Sequence, residues 1–97
     1  ERRDTSKPFF AFNVTMQNHG GYDFSPFTPT VALQGYNNDY PDVEQYLSMA
    51  KASDAAFEKL TEYFKNVDEP TIICMFGDHL PKVSEAFYAE LMGDKLP

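Results

Sequence analysis

Two apolar runs and one long amphipathic run set the pattern of this chain. Phe9-Phe10-Ala11-Phe12-Asn13-Val14-Thr15-Met16 follows Pro8, and Ile72-Ile73-Cys74-Met75-Phe76 follows Pro70-Thr71. Aromatic and β-branched residues dominate the first run, which is the composition of a strand. The second has no polar break, so it predicts a strand covered on both faces. Cys74, inside it, is expected to be a small buried hydrophobe. Between the runs, apolar residues recur at Val43, Leu47, Ala50, Phe57, Leu60, Phe64 and Val67. That spacing predicts a helix over 42–66. Pro41 suits a first helical position, Asp42 and Glu44 suit its positive end, and Pro70 blocks extension. Asp54 interrupts the stripe and must find hydrogen bonds or a helix edge.

The remaining segments follow from their breakers. Residues 1–7 are polar and form a loop or linker end. Residues 20–41 hold Gly20, Gly21, Pro26, Pro29, Gly35, Asn37, Asn38 and Pro41, which predicts a long irregular connection. Tyr22, Phe24 and Phe27 are the residues available to pin it to the body. Thr30 to Leu33 is a candidate short edge strand. Ser84 can cap a short helix through Leu91-Met92, with Gly93 as its stop.

The order is therefore strand, long loop, helix, strand. This is an α/β arrangement, a βαβ unit with parallel strands and a right-handed crossover. Parallel strands end on the same edge of a sheet. Gln17-Asn18-His19-Gly20-Gly21 follows the first strand, and Gly77-Asp78-His79-Leu80-Pro81 follows the second. The topology brings His19 toward Asp78 and His79, at the edge where open α/β sheets place ligands. A carboxylate beside an imidazole is a natural pair of ligands for a divalent metal. Taken alone, Asp78 also suits a turn cap and each histidine a loop surface; the convergence of all three gives the chemical reading its weight.

Composition narrows the partners. The chain has 97 residues, 42% hydrophobic and 15% aromatic, with net charge -7. No basic stripe is available to neutralise phosphates, which argues against a nucleic-acid partner and against a polybasic membrane patch. One cysteine allows no internal disulfide. No run has transmembrane length. The opening Glu1-Arg2-Arg3-Asp4, without an initiator Met, suggests a piece of something longer.

Three matching stretches resemble the sulfatase-type phosphoglycerol transferases of bacterial envelopes, a group that includes lipoteichoic acid synthases, in the alkaline phosphatase superfamily. They are Pro8-Phe9-Phe10 leading to Asn18-His19, Tyr46-Leu47 with Ser53-Asp54-Ala55-Ala56-Phe57, and Phe76-Gly77-Asp78-His79-Leu80-Pro81. The resemblance covers roughly residues 7–92. It implies a partial alkaline phosphatase-like fold, with residues 1–97 a single fragment of an extracellular sulfatase-like catalytic domain. It implies that Asp78 and His79 ligate a catalytic divalent ion, manganese or magnesium, and that His19 hydrogen-bonds the phosphoryl group or leaving oxygen. It also implies an upstream threonine nucleophile and an upstream acidic ligand, neither of which has a match here. Thr5 precedes the first strand and Thr15 lies within it, so neither takes that role.

The function so implied is metal-dependent transfer of phosphoglycerol from a lipid-linked glycerol phosphate, in synthesis of cell-envelope polymers. The parent would be membrane-anchored at the extracellular face of the bacterial cell membrane. The fragment itself would be soluble and inactive by itself. An exposed strand edge would also invite self-association. The alternatives are a sulfatase or phosphodiester hydrolase of the same superfamily, and a non-catalytic α/β binding module.

Overall fold

The computed structural model describes residues 4–22 and 28–93. Its regular elements are α1, Pro41–Lys65, and α2, Glu85–Met92. The ends of α1 match the sequence pattern to within a residue. Pro41 lacks an N–H that the first turn does not need, and Asp42 and Glu44 face the positive end of the helix. Asn66 closes the far end, its N–H reaching the Tyr63 carbonyl at 3.2 Å. Ser84 stands at the N-cap of α2, where the Phe87 and Tyr88 amides bond its carbonyl. Its hydroxyl makes no cap bond. Gly93 ends α2 with φ at 55°, a left-handed conformation that glycine adopts without a Cβ penalty.

Helix α1, with 25 residues, is about 37 Å long at 1.5 Å per residue. The molecule measures 54 × 29 × 21 Å. The radius of gyration is 17.9 Å, whereas a compact domain of this length has about 12.5 Å. The accessible surface is 8600 Å², against about 5700 Å² for a compact protein of this mass. The chain is therefore open.

The exposed area lies on the apolar runs. No strand forms among the described residues, and 8–16 and 71–76 carry no helix either. Phe10 is 87% exposed and Ile72 97%. A strand exists through its ladder of hydrogen bonds to a neighbour, and no such ladder forms here. Cys74, expected to be buried, is exposed for the same reason.

What is buried gathers at the first half of α1. Val43, Glu44, Gln45, Ser48 and Met49 are buried there, and Tyr22 is buried too, at 8% exposure. The Tyr22 ring meets Tyr46 edge to face at 5.6 Å. The stripe expected from Leu47 to Phe64 is only half-buried, and Leu60 and Asp54 are exposed.

Residues 30–33, a candidate edge strand in the sequence, are held by helix side chains instead. Ser48 Oγ accepts the Thr30 and Val31 amides, each at 2.9 Å. Glu44 Oε1 accepts the Leu33 amide at 2.9 Å. Three amides of this segment are thus taken by α1, so no strand is needed to satisfy them. Asn37 and Asn38 both adopt positive φ in the turn before the helix, a conformation their short polar side chains tolerate. Phe24 and Phe27, expected to pin this connection, lie outside the described residues.

Helix α2 docks on the start of α1. Phe87 meets Tyr40 at 5.1 Å and Tyr36 at 6.2 Å, edge to face. Tyr40 donates to Glu90 at 3.0 Å, and the Ser84 amide donates to Asp42 at 2.6 Å. This docking ties the segment after residue 77 to the same end of α1 that holds Tyr22.

Candidate functional site

His19 sits in a short turn that follows the first apolar run. Its amide bonds the Met16 carbonyl at 3.1 Å. Gly21 turns the backbone away with φ at 101°, where a side chain would be strained. Helix α1 fixes the turn from the side. Gln17 Nε2 donates to the Met49 carbonyl at 3.3 Å, and Ser53 Oγ donates to Asn18 Oδ1 at 3.1 Å. Tyr22 closes the turn by donating to the Asn18 carbonyl at 3.0 Å.

The His19 ring is exposed, with Nδ1 3.2 Å from the Gly20 carbonyl. A carbonyl only accepts, so Nδ1 carries the proton in this contact and Nε2 is left for other work. His19, Gly20, Gly21, Tyr22, Asp42 and Lys82 line an open cleft of about 590 Å³. Both Asp42 oxygens are already engaged, by the Val43 and Ser84 amides. Burial of the Tyr22 phenol, with Tyr46 and Tyr88 nearby, raises its pKa above 10.0, so it stays a neutral donor at ordinary pH.

Asp78 and His79 stand together just past Gly77. His79 Nε2 lies 3.5 Å from Asp78 Oδ2, and both side chains are exposed. His79 Nδ1 is 2.8 Å from the Leu80 carbonyl, so Nδ1 carries the proton in this contact and Nε2 faces Asp78. The segment is anchored downstream. Tyr88 of α2 donates to the Pro81 carbonyl at 2.7 Å. The next residue, Lys82, enters the cleft beside His19.

The chain's relationships follow the same residues. The Sulfatase family model matches residues 1–95. The chain belongs to the Sulfatase family. This places it in an enzyme superfamily of alkaline phosphatase type. A protein of Rhizobium meliloti (strain 1021), named as a cyclic beta-1,2-glucan modification protein, is 32% identical over 90 residues. That match covers 87% of this chain and 14% of the relative. The chain thus spans a small part of that relative's length. No solved structure matches.

Members of the Sulfatase family generally use a divalent metal. The Asp78–His79 pair fits such an ion in donor type and spacing. Ligands with bonds of about 2.1 Å lie roughly 3.0–3.4 Å apart in octahedral or tetrahedral shells. The observed 3.5 Å is close to that span, and the free Nε2 is the correct ligand atom. Two side chains do not complete a shell. Among the described residues no third His, Cys, Asp or Glu joins them.

Of the site residues named from sequence, the structure sets Asp78 against His79 and puts His19 in the Lys82 cleft. Several supporting residues carry no motif. Ser53 had a signal only as part of the matched helix stretch. Asp42 was read as a helix-end charge, yet it also holds the Ser84 amide. Tyr88 and Lys82 had no sequence signal.

Proposed function

We propose that this chain carries part of the phosphoryl-transfer site of a metal-dependent phosphoglycerol transferase. The donor is a lipid-linked glycerol phosphate, and the acceptor is a hydroxyl of an envelope glucan. Membership of the Sulfatase family, with Gly77-Asp78-His79 and Asn18-His19 each at the end of an apolar run, carries the reading. The name of the Rhizobium relative supports the glucan acceptor. We further propose that 8–16 and 71–76 are parallel strands of a sheet completed by other strands. Their exposed apolar side chains supply the faces such a sheet would bury.

Asp78 and His79 would hold manganese or magnesium through Oδ2 and Nε2. That ion, when bound, polarises the phosphoryl oxygen and lowers the pKa of a coordinated hydroxyl. His19 meets the reacting group through Nε2. Neutral, it accepts a proton from an incoming hydroxyl; charged, it donates to the phosphoryl or leaving oxygen. Lys82 adds a cation to the same cleft and offsets the anionic phosphodiester. Overall, the phosphorus–oxygen bond to the lipid breaks and one to the glucan forms. The proton of the glucan hydroxyl ends on the lipid alcohol.

The test uses the protein at its full natural length, located at the membrane. It is supplied with a radiolabelled glycerol-phosphate lipid, manganese and a cyclic glucan. Label appearing on the glucan, with release of diacylglycerol, supports transfer. Label appearing only as free glycerol phosphate shows a hydrolase of the same family and sinks the transferase reading.

A further inference from the structure

We propose that Asn18 is a positioning residue for His19, and that Ser53 of α1 is its anchor. The inference rests on the reading of His19 as the group that meets the phosphoryl centre. Asn18 is bound at two separate oxygens. Its side-chain oxygen accepts the Ser53 hydroxyl at 3.1 Å, and its backbone carbonyl accepts the Tyr22 hydroxyl at 3.0 Å. The next residue is His19, whose ring, among the described residues, makes a local side-chain contact to the adjacent Gly20 carbonyl. The exposed ring therefore takes its direction from the backbone that Asn18 fixes.

Register makes the latch specific. Met49 and Ser53 are four residues apart, so they lie on one face of α1, a turn from each other. Gln17 bonds the first and Asn18 the second. The turn docks on successive rungs of a long helix rather than on another loop. Tyr22 completes the frame, its ring against Tyr46 of the same helix. The carboxylate of neighbouring Asp54 is exposed. The hydroxyl of Ser53, not the acidic residue beside it, makes the link.

The experiment exploits the chain's two histidines. With carbon-13 in the imidazole rings, the chain gives one ring signal for each, assigned with His79→Ala. Ser53→Ala should shift and broaden the His19 signal and leave that of His79 in place. Ser53→Thr, which keeps the hydroxyl, should restore the wild-type position. Circular dichroism should show α1 intact in both variants. An unmoved His19 signal in Ser53→Ala overturns the inference, as does a Thr variant that behaves like Ala. In the full-length protein, Ser53→Ala should lower kcat by ~2- to 10-fold, the worth of one hydrogen bond, with KM nearly unchanged. A shifted ring signal combined with full turnover in His19→Ala would keep the latch but refute the catalytic reading of His19.

Discussion

Replacing Ser48 by alanine tests how α1 holds the connection between Tyr22 and the helix. Ser48 is 1% exposed. Its hydroxyl accepts the amides of Thr30 and Val31 and donates to the Glu44 carbonyl at 2.7 Å. A buried donor left unpaired costs about 1–3 kcal/mol. Thr30 is exposed, so water recovers its amide; Val31 is half-buried and recovers less. The loss therefore comes to about 2 kcal/mol, near the middle of that range. Alanine gains about 0.5 kcal/mol in helix propensity over serine. The balance is about 1.5 kcal/mol of destabilisation, close to a tenfold change in the opening equilibrium of this loop. Amide hydrogen exchange reads it directly. The Val31 amide should exchange ~10-fold faster in Ser48→Ala, with a smaller effect at Thr30. Leu33, held by Glu44, should change least. Unchanged protection at Val31 would show that the Ser48 hydroxyl does not hold this loop. So would a net stabilisation of about 0.5 kcal/mol, which would mean that helix propensity alone decides.

Tyr88→Phe removes the bond to the Pro81 carbonyl and should loosen 78–82 by about 1 kcal/mol; equal exchange rates across that segment in the two proteins would argue against an anchoring role. Tyr22 has a raised pKa, chiefly from burial. Its stabilising contribution is therefore complete below pH 10.0 and lost as pH rises through the higher folded value. Thermal melts should fall in that alkaline range for the wild type and less for Tyr22→Phe; parallel profiles would contradict the assignment. The chain of residues 1–97 should show no phosphodiester turnover with manganese, because no activated nucleophile matches here; turnover abolished by Asp78→Ala would show a complete site.

The helices were legible because their signals are local. Pro41, the first-turn acids and the helical spacing place α1, and Ser84 and Gly93 bracket α2. The buried face of α1 was legible only at Val43, which belongs to the apolar stripe and is buried. The apolar stripe points to Leu47, Phe57 and Leu60, whereas the structure buries Glu44, Gln45 and Ser48. Glu44 and Ser48 are buried there because loop amides need acceptors, and that need arises only once the loop has docked. A serine inside a helix signals such a role weakly, since it can also bond back to its own helix, as Ser48 does to Glu44. The apolar runs at 8–16 and 71–76 state a composition, but a strand also needs a partner, and composition does not supply one. At the site, Asp78 beside His79 follows from adjacency. The Ser53–Asn18 link spans 35 positions and depends on the helix register. Lys82 enters the His19 cleft through the docking of α2, which aromatic contacts between Phe87, Tyr36 and Tyr40 decide.

We propose that Asp78 and His79 hold the metal that supports phosphoryl transfer. The most direct measurement is manganese-dependent turnover of a glycerol-phosphate lipid by the full-length protein, compared with Asp78→Ala and His79→Ala. Chelation should abolish wild-type turnover and added manganese should restore it. Each variant should lose activity by ~100-fold or more, since even residues that merely support metal ligands cost ~10–100-fold. Raising manganese should recover part of the loss. Turnover that survives chelation, or either variant retaining wild-type activity, would show that this pair does not hold a catalytic ion.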